Sequence, residues 1–366
     1  KEKKAVNKIF ENGGVLFAHG FEKSRKNFHV REFEKTFGKK LKSKYNLAVS
    51  SGTAAIKIAL KALGVKPGDE VITQAFNFIA TIEAILDVGA IPWIVNIDKS
   101  LNMNPEEIKS VINKKTKVIL PVHMLGVSAE IKEIIKISKK YKIKVLEDNC
   151  EAIGAKFSNK YLGTLADIGV FSFDFGKNIT TGEGGCILTN DKKKYLFFKR
   201  YHDHGHKLLK HLPRGNDEAA MPGFNYRMTE LQAAVGLAQI KKMKFILKEN
   251  KKRFEALKKS IIKKTYIRKI YPGSTPSYDT FLFKVKKNQK NKITKYLNKV
   301  GIGTKNLPDA IKWHFAFYWR HAISKKQLKN TYKSKKILEN YIAVPILLKK
   351  SVSFYKEISK NLANYL

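Results

Sequence analysis

Apolar positions along this chain fall into short continuous runs, and these alternate with stretches whose apolar residues recur at helical spacing. Runs at 70–73, 91–95, 118–120, 145–148, 169–173 and 186–189 read as buried strands, since they are short and bounded by Gly, Pro, Asn or Asp. Residues 45–50 form an apolar approach to the small-residue helix in SSGTAAIKIALKALGV, and further helices are expected at 79–86, 131–141 and 191–201. Thr229 is a good N-cap for a helix whose apolar face is Ala233, Val235, Leu237, Ile240 and Met243. Residues 13–37 open loosely and end in an amphipathic helix. Strand and helix in alternation predict an α/β fold, a mostly parallel sheet flanked by helices on both faces. In such sheets ligands collect beyond the carboxyl ends of the strands. From about residue 251 a smaller α/β unit is expected, with a strand in TFLFKVKK, a helix ending at Gly301 and a late strand in YIAVPI. The expected division is a large domain, 1–250, with an N-terminal arm, and a small C-terminal domain, 251–366.

Composition narrows the partners. The chain has 366 residues, enough for one large core and a smaller one. Its two cysteines, Cys150 and Cys186, lie in apolar segments and form no disulfide framework, which points to a reducing cytoplasm. No apolar run reaches the roughly 18–20 residues that span a bilayer. The opening KEKKAVNKIF lacks the apolar core of a signal peptide, so a cytoplasmic protein without membrane insertion is expected. The formal charge of +41 would ordinarily suggest nucleic acid. Yet it comes from 64 lysines and eight arginines, with the lysines spread along the chain. Readers of bases and phosphates favour arginine forks, so no specific nucleic-acid partner is expected, and attraction of anionic metabolites is a by-product.

Candidate chemistry centres on FSFDFGKNITTGEGGCILTN, residues 171–190. Here Lys177 follows a buried strand and precedes glycines that leave room beside the backbone. A lysine placed this way can lose its proton and condense with a carbonyl. Ser51, Gly52 and Thr53 precede a helix, where free amides and the helix dipole make a ready anion site or an ordinary cap. Asp148 ends a strand, as a cap, a salt-bridge partner or a carboxylate turned to a ligand. His202, His204 and His206 lie in a segment that reads as a loop, so no dedicated metal site is expected.

Three segments, FSFDFGKNITTGEGG, VLEDNCEAIGA and GFNYRMTELQAA, resemble the DegT/DnrJ/EryC1/StrS sugar aminotransferase family, pyridoxal-phosphate enzymes of the aspartate-aminotransferase (type I) fold. The resemblance covers nearly the whole chain, most firmly 45–250. It implies that Lys177 holds the cofactor and shuttles a proton, and that Asp148 faces the ring nitrogen. It implies further that Phe78 stacks on the ring and that Ser51, Gly52, Thr53 and Ser172 surround the phosphate. Glu151 stands where the family usually has Gln or His near the ring hydroxyl. Asn225 matches a residue that reaches the phosphate of the neighbouring subunit's cofactor, which implies a homodimer with shared active sites. The implied reaction carries an amino group from glutamate to a keto or aldehyde sugar. Lys177 argues against the family's dehydratase branch, which has histidine there. PVHMLG, HDHGH and GTKNLPDAIKWHFA resemble the branch that forms 8-amino-3,8-dideoxy-manno-octulosonate, an acidic sugar of lipopolysaccharide. That is the expected product, with a nucleotide-linked keto-deoxysugar (dTDP, UDP or GDP) as the alternative. Arg214, His204 and His314 are candidates for meeting an anionic substrate.

Overall fold

The computed structural model describes residues 1–21, 23, 25–209, 212 and 214–366, Arg214 in its backbone only. Helices α1 (Glu2–Glu11) and α2 (His29–Leu41) lead into β1 (Tyr45–Val49). Then follow α3 (Gly52–Ala62), β2 (Glu70–Gln74), α4 (Ile79–Asp87), β3 (Ile91–Val95), α5 (Pro105–Val111), β4 (Thr116–Leu120), α6 (Ile131–Tyr141) and β5 (Lys144–Asp148). A small hairpin, β6 (Lys156–Phe157) and β7 (Lys160–Tyr161), precedes β8 (Ile168–Ser172), β9 (Gly185–Thr189), α7 (Lys192–Tyr201) and the long α8 (Glu230–Ile261).

Seven strands make the central sheet in the order β1-β9-β8-β5-β4-β2-β3. From β8 to β3 every pairing is parallel, while β9 runs antiparallel to both β8 and β1. Strands β2, β8 and β9 are buried along their whole length, because helices cover both faces, and this is why β8 reads as an unbroken apolar run up to Ser172.

Helix starts are fixed by local chemistry. The Ser51 side chain accepts the Ala54 amide at 3.1 Å and caps α3. Thr229 and Gln232 cap each other's backbone amides at the start of α8, the Gln232 oxygen 2.8 Å from the Thr229 nitrogen. The next residue, Glu230, is buried and accepts the amides of His29 at 2.5 Å and Val30 at 3.3 Å, with Arg25 at 3.6 Å. One carboxylate thus sits at the positive end of α2 and ties it to α8.

Helix α8 runs unbroken through residue 250. Its first half packs with Phe33, Phe37, Phe171 and Phe173. Its second half, from Phe254, joins another core with β11 (Thr280–Lys284) and β12 (Tyr341–Pro345), an antiparallel pair, and the closing helix Val352–Tyr365. Between these cores β10 (Ser274–Thr275) pairs with β6. Helix α9 (Lys287–Lys299) stops two residues short of the expected Gly301, which turns the chain at φ +72°. Among the described residues no helix is long and apolar enough to cross a membrane.

Candidate functional site

A cavity of about 560 Å³ opens beyond the carboxyl ends of β5 and β8. Its wall includes Ser51, Gly52, Thr53, Phe78, Asp148, Glu151, Ser172 and Lys177, every residue the sequence put forward for the cofactor except Asn225.

The turn that carries Lys177 is built from its own polar groups. The Asp174 carboxylate accepts the Gly176 amide at 2.8 Å, and the Asp174 carbonyl accepts the Lys177 amide at 3.1 Å. Thr180 and Thr181 return donors to the Phe173 carbonyl, at 3.1 and 2.9 Å. This closes a loop around the buried Phe173 and leaves the Lys177 side chain on the cavity, with Nζ 3.6 Å from Glu151 Oε1.

Strand β5 supplies two adjacent carboxylates, and the period of two turns them to opposite faces. Glu147 is fully buried. It accepts the amides of Gly163, Leu165 and Ala166 at 2.7–2.9 Å. Its remaining neighbour is His123 Nε2 at 3.3 Å. The Ala129 amide donates to His123 Nδ1 at 3.0 Å, so the ring proton sits on Nε2 and points to Glu147. Asp148 meets the cavity instead. It accepts the Cys150 amide at 3.0 Å and the Thr81 hydroxyl at 3.1 Å. Burial pushes its carboxyl up from the ordinary value, and those two donors and Lys177 offset this only in part.

Glu151 behaves oppositely. Burial alone would raise its carboxyl, but Lys177, Lys305, His314 and the Leu125 amide outweigh burial and bring it down to about 2. The Leu125 amide donates at 3.1 Å and Asn306 Nδ2 at 3.2 Å, while His314 Nε2 lies 3.9 Å away. The residue found in place of the family's usual Gln or His is therefore an anion fixed by surrounding cations.

Helix α3 points its N-terminus into the same cavity. Ser51 takes the Ala54 amide, and no intrahelical carbonyl can reach the amides of Gly52 and Thr53. The fit around this end is close. A Cβ on Gly52 would lie 2.8 Å from Ser172 Cβ and 3.1 Å from Cys150 Sγ. Ser172 Oγ accepts the Asp174 amide at 3.2 Å, so it belongs both to the helix end and to the lysine turn. Phe78 stands at the first position before α4, is 43% exposed, and holds its ring 5.1 Å from His314.

Asn225 is exposed, pairs with Asp203, and does not line its own chain's cavity. Of the substrate candidates, His314 reaches the cavity. His204 is exposed on the loop at φ +52°, and the Arg214 side chain lies outside the described residues. His202 is buried with Nδ1 2.8 Å from the Lys199 carbonyl, and His206 lies 3.8 Å from Asp217. Among the described residues no group of three His, Cys, Asp or Glu could hold a metal ion. Lys305, Asn306 and Thr81 were not anticipated. Lys305 and Asn306 follow the α9 helix far along the chain, and no local spacing ties them to Glu151.

The sequence matches the model of the DegT/DnrJ/EryC1/StrS aminotransferase family over residues 19–354. It is 37% identical over 262 residues to a GDP-perosamine synthase of Escherichia coli O157:H7, covering 71% of this chain and 68% of that protein. A GDP-perosamine synthase of Caulobacter vibrioides is 37% identical over 215 residues, 58% of this chain and 57% of its own length. The fold is similar to that of an E. coli GDP-4-keto-6-deoxy-D-mannose-3-dehydratase with bound hydrated pyridoxal phosphate. There the TM-score is 0.83 and identity 26%, over 98% of this chain and 95% of that one.

The donor set fits that cofactor, which carries an aldehyde, a ring nitrogen and a phosphate. The cavity offers an amine at Lys177, a buried carboxylate at Asp148 whose charge a cation would relieve, and a helix end with two amides to spare.

Proposed function

This chain belongs to the DegT/DnrJ/EryC1/StrS aminotransferase family and is a pyridoxal-phosphate-dependent sugar aminotransferase; on that premise we propose that it aminates a keto-deoxysugar carried on a nucleoside diphosphate, with glutamate as donor. The observation that carries the reading is Lys177 Nζ on the wall of the cavity that also holds Asp148 and the α3 terminus, 3.6 Å from an anionic Glu151. The names of the GDP-perosamine synthases support a nucleotide-linked sugar over the free acidic octulosonate.

Bound pyridoxal phosphate supplies an aldehyde that condenses with amines and a ring that draws electrons from the carbon beside the nitrogen. Lys177 would hold the cofactor through Nζ and, once released, take and return the proton at that carbon. Asp148 would keep a proton on the ring nitrogen, with its position set by Thr81 and the Cys150 amide. Ser51, Gly52, Thr53 and Ser172 would receive the phosphate. Asn225 would serve the site of a second copy, so that a homodimer is the active unit.

A test is to load the protein with cofactor, add glutamate, and follow loss of the visible band of the lysine-bound form. Restoration by a nucleotide-linked keto-deoxysugar, and not by the free octulosonate ketose or aldehyde, is the expected result. Restoration by the free acid alone would overturn the substrate assignment. A protein whose band no amine removes would overturn the transfer itself.

A further inference from the structure

Besides Lys177, two basic side chains line the cavity among the described residues, Lys305 and His314. Both come from the C-terminal part of the chain. Lys305 is seated firmly. Its amide donates to the Ala343 carbonyl of β12 at 2.9 Å, and its Nζ donates to Asp279 Oδ2 at 2.7 Å. The other Asp279 oxygen accepts the Ser277 hydroxyl at 2.9 Å. The next residue, Asn306, bonds Glu151, whose Oε1 lies 3.6 Å from Lys177 Nζ. Lys305 is therefore adjacent in the chain to Asn306, which bonds the carboxylate that lies 3.6 Å from the reactive amine.

The three basic groups have different duties. Lys177 is committed to the cofactor. His314 donates Nδ1–H to the Ala310 carbonyl at 2.8 Å, and burial holds it below its ordinary value, so it is the least able of the three to carry charge. Burial would also pull Lys305 down, but Asp279 and Glu151 outweigh it and keep the ammonium charged. An ammonium has three N–H donors in a compact head. Asp279 occupies one, and the side chain borders open cavity.

We propose that Lys305, braced by Asp279, is the carboxylate-binding residue of this cavity. The inference rests on the aminotransferase reading. Two reactants can bring the carboxylate to it. An amino-acid donor carries one on the carbon that bears the departing nitrogen. An ulosonic acid acceptor would carry one on the sugar. A charge-assisted bond of this kind contributes enough to change half-saturation about tenfold to a hundredfold when removed.

The test uses the cofactor-loaded protein and Lys305→Met. Because this change strands the buried Asp279 carboxylate, Lys305→Met/Asp279→Asn is measured beside it, removing both charges together. The visible band is titrated with L-glutamate and with n-butylamine, which has an amine and no carboxylate. If the free octulosonate acceptor restores the band in wild type, the aminated form is titrated with it as well. The expected result is a rise of about tenfold or more in half-saturating glutamate, with butylamine and cofactor affinity unchanged. A rise confined to the acidic sugar would assign the same residue to the acceptor's carboxylate. Unchanged half-saturation for glutamate, and for the acidic sugar where it reacts, in folded, loaded variants would overturn the proposal, as would an equal effect on butylamine. If the wild-type band resists every amine, the aminotransferase reading fails instead, which is a separate outcome.

Discussion

Gly185→Ala probes how the sheet places the α3 end proposed to cradle the phosphate. Gly185 opens β9 and pairs with Ser172 on one side and Val49 on the other. A Cβ there would lie 2.3 Å from the Ser51 carbonyl oxygen, 2.6 Å from its carbon and 2.9 Å from the Gly52 nitrogen. All three are backbone atoms at the cap of α3, so no side chain can swing aside. Ordinary contacts to carbon lie at about 3.5 Å, and relief therefore moves the helix end by about 1 Å. Overpacking of this kind costs about 1–3 kcal/mol, and here the strain falls on the amides proposed to receive the phosphate. Cofactor affinity is expected to drop about fivefold to a hundredfold. The assay titrates pyridoxal phosphate into cofactor-free protein and follows the visible band, with a thermal melt alongside. Gly182→Ala is the comparison. Nothing lies within 4 Å of its Cβ, but its φ is +84°, so alanine there loses about 1–2 kcal/mol of stability without displacing α3. Cofactor affinity equal to wild type in Gly185→Ala would refute the reasoning, since the cradle would then tolerate a shift that the contacts forbid.

Lys177→Ala is expected to abolish transfer and the visible band while the far-ultraviolet spectrum stays native, and mixing it with Asn225→Ala should restore activity through hybrid dimers. No recovery in any mixture would remove the case for shared sites. Glu147→Gln turns an amide toward the three backbone donors that now share a carboxylate. A loss of about 2–4 kcal/mol in denaturant unfolding is expected, and an unchanged midpoint would show that those amides find other partners. Glu34, which accepts the Ala48 amide at 2.8 Å, has its carboxyl pushed up to about 7 by burial, against the pull of that amide, Lys199 and Arg31. A raised folded value means that the native state holds more protons than the unfolded one between about 4.5 and 7, so stability falls as pH rises through that window. Glu34→Gln should flatten this part of the stability profile. A profile parallel to wild type from pH 4.5 to 7 would contradict it.

How far the sequence could be read follows from where each contact is made. The strands were legible because helices cover both faces of the sheet, leaving runs such as IGVFS without a polar residue until Ser172 at the site. Lys177, Asp148 and the Ser51 cap were legible because each site depends on its immediate neighbours: a turn, a strand end, a helix start. Glu147 was not, although it adjoins Asp148. The period of two says that the pair face opposite ways, but only the fold shows which one meets the amides of Gly163, Leu165 and Ala166. Glu151 was found as a departure, and its meaning stayed hidden for a different reason. Its charge is held by Lys177, 26 positions away, and by Lys305 and His314 much farther along the chain, and its geometry by the Leu125 amide and by Asn306, 155 positions away. A carboxylate in place of a neutral side chain reads as a defect until its counter-ions are known. With Lys177, Lys305 and His314 around it, the anion in this chain stands compensated. Removing Glu151 alone would then leave cations facing one another, so its role can be separated from theirs only by changing both members of a pair at once.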